Sequence, residues 1–314
     1  MGKNLDKTYP LSIVTPTFQR LDCLRRLYSS LLAQTCHDFE WIVVDDGSTD
    51  GTSDWVNSIV STSPFDVVLI RKKNGGKHSA LNRAFPAVRG HYLAVADSDD
   101  TLLPEAVSEI LCLVDITEDL HRNARKKGHN PICGFATPTL FPDKNRITVN
   151  TPPDVTLTDF ISLRSRLKVG GDTFDVLKTK YIRHFRFPEF EGESFVGESY
   201  LLDSLALHYD IVYFDTPLLI RSYGDDGLSA NFVRLLMDSP ESTSLVFALH
   251  ARHPRQTPKI RAITQIRYWA YTLGSRLPWK DRINAIGVSA IHMLIPALAL
   301  KLYYTLFPHS KPIL

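Results

Sequence analysis

Short unbroken apolar runs recur along the first third of the chain: Leu11-Ser-Ile-Val14, Trp41-Ile-Val-Val44, Val67-Val-Leu-Ile70 and Tyr92-Leu-Ala-Val-Ala96. Each is too short for a helix and reads as a buried strand. Between them, Asp22 to Ala33, Thr52 to Val60 and Ser79 to Val88 carry apolar residues at helical spacing, with Asp22 placed as an N-cap. Pro104 stands where a first helical residue belongs and opens a helix to about Leu113. Strands apolar on both faces, separated by helices, predict a parallel sheet covered on both sides. In such α/β folds ligands bind beyond the carboxyl ends of the strands. Thr15 lies there after the first strand, Asp45 and Asp46 after the second, and Asp97 to Asp100 after the fourth.

The pattern then changes. From His121 to Asn150 the chain is polar and basic, which predicts a loop followed by a strand near Ile132 to Ala136. Mixed elements follow Pro153 and end in a strand pair, Ile211 to Phe214 and Leu218 to Arg221. A third region begins near Phe232. Between Ala251 and Arg282 it holds eight Lys or Arg against one acid, Asp281, and Ala285 to Leu300 is then a run of 16 residues without a formal charge.

Composition narrows the classes. A length of 314 residues suits one large α/β domain with an appendage, and 44% apolar with 22% charged residues is ordinary for a globular chain. A net charge of +2 gives no reason to expect nucleic-acid binding. Four scattered cysteines, Cys23, Cys36, Cys112 and Cys133, form no CxxC pair, so they read as small buried apolar residues in a reducing compartment. Met1 to Pro10 lacks the apolar run of a signal peptide, so the expected location is the cytosol. His78 and His91 lie near the candidate site, but a lone His is more often structural, and no Ser–His–Asp or Cys–His set is apparent.

Asp97-Ser-Asp-Asp100 carries the strongest chemistry. Three carboxylates in four residues repel one another unless a cation neutralises them. Hard oxygen ligands select Mg²⁺ or Mn²⁺, which commonly bridge one or two carboxylates to a diphosphate. The plainer alternative is an acidic cap on the helix at Pro104, a role that needs only one acid. Val43-Val-Asp-Asp-Gly-Ser-Thr-Asp-Gly51 ends a strand in two acids that can accept hydrogen bonds from a base or ribose, although it also suits a generic strand-to-helix turn. Asn74-Gly-Gly-Lys77 lets backbone approach a ligand and supplies a cation for phosphate. Neither a P-loop nor a GxGxxG after the first strand is present, which argues against a P-loop nucleotide site and a dinucleotide oxidoreductase.

Taken together, Ser12-Ile-Val-Thr-Pro-Thr17, Val44-Asp-Asp-Gly-Ser-Thr-Asp-Gly51, Gly75-Gly-Lys77 with Ala80-Leu-Asn82, and Ala96-Asp-Ser-Asp-Asp100 resemble the family 2 glycosyltransferases, in family order across roughly the first 110 residues. The resemblance implies the α/β GT-A fold, a mostly parallel central sheet flanked by helices, here with a C-terminal helical extension. It implies that Thr15, Asp45 or Asp46, Lys77 and Asp97 hold the donor nucleotide, and that Asp99, with Asp97, binds Mn²⁺ or Mg²⁺. Asp100 either supports the metal or caps the helix.

The second half resembles the members that assemble bacterial cell-surface polysaccharides, through Gly170-Gly-Asp172, Phe187-Pro-Glu-Phe-Glu-Gly-Glu193, Gly197-Glu198 and Gly224-Asp-Asp-Gly-Leu-Ser229. An inverting transferase needs a carboxylate to deprotonate the acceptor hydroxyl. Glu198 matches best by position, with Glu193 and Asp172 as alternatives; the Asp that commonly stands beside this base is replaced by Gly197 or Ser199 here. Glu189 and Glu191 read as a solvated acidic loop. Gly171, Asp172, Asp225 and Asp226 are candidate donor or acceptor contacts, the last two in either a lid or a plain turn.

The expected organisation is a nucleotide-sugar-binding half (1–115), an acceptor-binding and catalytic half (116–231) and a basic, then apolar extension (232–314). The expected reaction moves a sugar, UDP-linked by family frequency, to a glycan or polyprenyl-diphosphate-linked acceptor. A catalytically silent scaffold subunit of an assembly complex is the alternative. The uncharged run is shorter than the ~20 residues that span a bilayer and is interrupted by Pro296. It reads either as a helix packed on the catalytic domain or as an interfacial helix on an anionic membrane at the cytoplasmic face. In the second case Trp269, Trp279, Tyr303 and Tyr304 suit the headgroup level.

Overall fold

The computed structural model describes residues 7–152, 155–222 and 232–307. In chain order the elements are β1 (Tyr9–Thr17), α1 (Leu21–Leu32), β2 (Phe39–Asp45), α2 (Thr52–Ile59), β3 (Asp66–Arg71), α3 (Lys77–Ala84), β4 (Gly90–Val95), β5 (Thr101–Leu102) and α4 (Ala106–Lys126). There follow β6 (Ile132–Leu140), β7 (Val155–Thr158), α5 (Phe160–Ser165), β8 (Thr173–Lys178), α6 (Thr179–Ile182), α7 (Ser199–Ala206), β9 (Asp210–Phe214) and β10 (Leu219–Ile220). The chain ends in α8 (Phe232–Asp238), α9 (Pro240–Arg252), α10 (Pro258–Thr272), α11 (Trp279–Ile286), a 3₁₀ turn (Val288–Met293) and α12 (Leu294–Leu306).

Two compact units result. The first takes in the described residues up to Asp159 with Leu167–Arg186 and His208–Ser222; the second holds Phe160–Arg166, Phe187–Leu207 and the described residues from 232 on.

In the first unit β3, β2, β1 and β4 run parallel, as their unbroken apolar runs require. β8 is antiparallel to both β4 and β6. Along its other edge β6 is parallel to β9 and then to β10, so the two strands read as a pair lie end to end beside β6 rather than against each other. β5 closes on β10 antiparallel. α1 buries Leu24, Leu27 and Leu31 against this sheet's core, which includes Ile13, Trp41 and Phe135. At the amino end of the sheet the buried Glu40 accepts from Ser12 Oγ at 2.6 Å and from Arg89 N at 2.7 Å, so the Ser12 of the first motif is structural.

Several boundaries differ from the pattern. Asp22 is not the cap of α1: it lies in the first turn, and Asp50 Oδ2 accepts from the Leu21 amide instead at 2.9 Å. The fourth helix starts at Ala106, two residues beyond Pro104, and runs through the expected loop to Lys126. Its later turns are charged because they face solvent, while Thr117 and Ala124 keep the buried stripe going. Cys133 is buried, but Cys112 is exposed, against expectation, and no cysteine is in a disulfide.

In the second unit α9 and α10 pack together and α12 lies against α10, around Tyr268, Trp269, Ala270, Ala290 and Ala297. The uncharged run is not one helix. Gly287, at φ +92°, ends α11, and Pro296 sits harmlessly in the first turn of α12.

Candidate active site

The carboxyl ends of β1, β2 and β4 carry the expected residues, but their side chains are more committed than the motifs suggested. Thr15 is fully buried, and its Oγ1 accepts from Trp41 Nε1 at 3.0 Å. Asp45 is also buried; it accepts from the Ser48 amide at 2.8 Å and from the Ser53 hydroxyl, closing the turn after β2. Asp46 reaches forward to the next loop, accepting from Lys72 Nζ at 2.5 Å, Gly75 N at 3.1 Å and Gly76 N at 2.7 Å. The turn between them needs Gly47: its φ is +90°, and a Cβ there would lie 3.0 Å from Asn74 N. The loop after β1 joins this frame through Gln19, whose amide donates to Ser48 Oγ at 3.0 Å and whose Oε1 accepts from the Thr49 amide at 3.1 Å.

Asp50 completes the turn. Its Oδ1 accepts from the Thr52 amide and hydroxyl, at 3.2 and 2.6 Å, so it caps α2 as it caps α1. The hydrogen bonds outweigh the upward push of burial and hold its carboxyl below the usual carboxylate range.

Beyond β4 the three acids are each met by a cation of the chain. Lys77 Nζ lies 2.5 Å from Asp97, Arg20 pairs with Asp99, and Arg221 lies 3.6 Å from Asp100. Asp97 and Asp99 are half-buried, whereas Asp100 is fully buried and holds the Asp97 amide at 3.0 Å. Asp100 is therefore the internal brace of this turn. Burial pushes its carboxyl up to about 8, with Asp97 and Asp99 adding to the effect and Arg221 opposing it. Burial also acts upward on Asp97, but Lys77 and Arg221 outweigh it and leave that carboxyl below its ordinary value.

The cations that the three acids call for include the chain's own Lys77, Arg20 and Arg221. Arg20 and Arg221 were missed in the sequence, although both follow a strand whose carboxyl end faces the ligand side. Among the described residues, no group of three or more His, Cys, Asp or Glu is placed to hold a metal ion.

The candidate bases are divided between the two units. Asp172 belongs to the first unit and is tied through Arg221, 3.2 Å away, to Asp100. Beside it Gly171 is structural: its φ is +73°, and a Cβ would lie 2.2 Å from the Ile147 carbonyl oxygen. Glu193 and Glu198 belong to the second unit. The Glu193 carboxylate accepts from the Glu241 amide at 2.7 Å and the Ser242 amide at 2.9 Å, so it caps α9. Glu198 is exposed and stands at the N-cap of α7. His78 is buried inside α3 and His91 is exposed on β4. Asp225 and Asp226 lie outside the described residues.

Comparison with known proteins gives a matching family segment and related folds. The family model described as glycosyl transferase family 2 matches residues 12–119. A chondroitin synthase of Pasteurella multocida (strain Pm70) is 38% identical over 109 residues, 35% of this chain and 11% of that protein. The match therefore spans about a tenth of that relative's length. Among solved structures, S. aureus TarS 1–349 in complex with UDP-GlcNAc superposes with a TM-score of 0.58 at 16% identity, covering 95% of this chain and 88% of that one. The mannosyltransferase PcManGT from Pyrobaculum calidifontis, in complex with GDP-Man and Mn²⁺, gives 0.51 at 16% identity over 97% of this chain and 84% of that one. These likenesses extend the fold beyond the matched segment. The four ordered motifs lie within the segment, residues 12–119, that matches glycosyl transferase family 2, and the sheet with the acids at its carboxyl edge has the GT-A fold.

Proposed function

We propose that this protein is an inverting glycosyltransferase. In this reading it moves a sugar from a nucleotide sugar, UDP-linked, to a glycan or polyprenyl-diphosphate-linked acceptor in cell-surface polysaccharide synthesis. The observation that carries it is the convergence of Asp97 and Asp99 with Lys77 and Arg20 at the carboxyl end of β4. Acids there suit a metal-bound diphosphate, and the cations suit the diphosphate itself. The name of the Pasteurella relative and the ligands in the two solved structures support the same substrate class.

The donor set fits Mg²⁺ or Mn²⁺ as an ion that arrives with a diphosphate. Asp97 and Asp99 would hold it, offering the one or two carboxylates such ions take from a protein. Bound there, the ion supplies charge stabilisation of the departing nucleoside diphosphate. Lys77 and Arg20 would supply positive charge to the phosphates. Asp45 and Asp46 serve the nucleotide by holding the loops that border it, with Thr15 beneath them.

Glu198 takes the proton from the acceptor hydroxyl. The oxygen attacks the anomeric carbon from the face opposite the nucleotide, and the bond to the diphosphate oxygen breaks, inverting the centre. Residues 1–115 bind the donor, 116–231 the acceptor, and 232–314 hold the enzyme peripherally on the cytoplasmic face of a membrane.

Replacing Glu198 by Gln tests the assignment. It should lower kcat by about 10²- to 10⁴-fold, the usual worth of a general base, while donor affinity stays unchanged. If Asp172→Asn instead removes turnover and Glu198→Gln does not, the base belongs to the first unit.

A further inference from the structure

We propose that residues 288–307 lie flat in the surface of an anionic membrane, inserting one apolar stripe while their other side stays packed on the protein. The inference rests on the peripheral membrane reading above and assigns the face that makes the contact.

Val288, Ile291, Ile295, Leu298, Leu302 and Leu306 are all exposed, Ile295 by 79% and Val288 by 72%. Their spacing of three and four residues places the five in and just before α12 on one side of the helix. Six large aliphatic side chains in a row exceed the scattered exposure of an ordinary surface. The opposite side is occupied. Ala290, Ala297 and Tyr304 are buried, Trp269 Nε1 donates to the Ala290 carbonyl at 2.8 Å, and Tyr304 stacks on Tyr271 with ring centres 6.0 Å apart.

That packing decides between lying and spanning. Val288–Leu306 is long and apolar enough to cross a bilayer by length and composition, but crossing would tear Ala290, Ala297 and Tyr304 out of the core against α10. It also corrects the anchors expected from sequence: Trp269 and Tyr304 are fully buried, leaving Trp279, 53% exposed, as the accessible indole at this end of the chain.

Charge selects the occupant. Residues 251–314 hold ten Lys or Arg against one acid, a net +9 in a chain whose total is +2, so the first 250 residues carry −7. Arg252, Lys259, Arg276 and Lys280 are exposed, and no acid occurs between Val288 and Phe307. A second copy would bring like charges together, whereas anionic headgroups complement them.

The test compares the full-length protein with Ile295→Ser/Leu302→Ser, whose side chains are exposed enough to leave folding intact. Co-sedimentation uses phosphatidylcholine vesicles with and without phosphatidylglycerol, with size-exclusion light scattering in parallel. The wild type should bind the anionic vesicles, less so as salt rises, with a blue-shifted Trp279 emission. The double variant should lose roughly a hundredfold in partitioning, about tenfold for each side chain withdrawn from lipid, at an unchanged Tm. A variant that binds like the wild type overturns the stripe while leaving purely electrostatic membrane contact standing. A wild type that binds neither vesicle overturns both. A variant that changes only the oligomeric state assigns the stripe to a second copy and overturns the proposal.

Discussion

Replacing Asp46 by Ala separates a side chain that shapes the pocket from one that merely touches the nucleotide. Asp46 is 3% exposed, and its carboxylate accepts from two consecutive backbone amides, Gly75 and Gly76, and from Lys72. Alanine leaves both amides and a largely buried ammonium without this acceptor. Each orphaned group costs about 1–3 kcal/mol, and breaking one side of a buried ion pair costs about 3–5 kcal/mol. Water can reach Lys72, whose side chain is 12% exposed, so the low end of each range applies: about 1 kcal/mol for each amide and about 3 kcal/mol for the ion pair, about 5 kcal/mol in all. Urea unfolding of the donor-free protein measures it. The midpoint should fall without a change in slope, and Asp46→Asn should recover part of the loss, because an amide oxygen still accepts from Gly76. A midpoint within about 0.5 kcal/mol of wild type, combined with a raised donor KM, would refute the reasoning and make Asp46 a simple nucleotide contact.

Arg20→Ala should bare Asp99 and raise affinity for Mn²⁺ roughly five- to thirtyfold, the worth of a half-buried ion pair of about 1–2 kcal/mol; calorimetric titration in the absence of nucleotide reads it, and an unchanged affinity would count against a competing role for Arg20. Asp50→Asn should cost about 1 kcal/mol near neutral pH through the weakened caps of α1 and α2. Because the folded carboxyl of Asp50 titrates below its unfolded value, its contribution is present above the unfolded value and is lost as the pH falls through the folded one. The difference in Tm between wild type and Asp50→Asn should therefore shrink below about pH 4, and a constant difference would contradict the assignment.

β1 and β2 were legible because they are buried on both faces. A continuous apolar run such as Trp41 to Val44 has few other readings, and each strand's end then marks a place for chemistry. The extent of α4 was not legible, since its solvent-facing turns are charged and look like a loop until the buried Thr117 and Ala124 are seen. The acids at 97–100 announced themselves by proximity in the chain. Their partners did not, because Arg20 is 79 residues from Asp99 and Arg221 is 49 from Asp172, distances that only the fold closes. Glu193 matched an acidic motif, yet its oxygens face the first amides of α9. Short motifs report which groups are present and leave open which way they point.

The proposed reaction is sugar transfer from a nucleotide donor with Asp99 at the metal. Its most direct test incubates the purified protein with UDP-, GDP- and dTDP-sugars and Mn²⁺ or Mg²⁺, and measures release of nucleoside diphosphate by wild type and Asp99→Ala. The account predicts metal-dependent release from at least one UDP-sugar by the wild type, abolished in the variant at an unchanged Tm. Failure of every donor to bind or turn over, or full activity of Asp99→Ala, would contradict it.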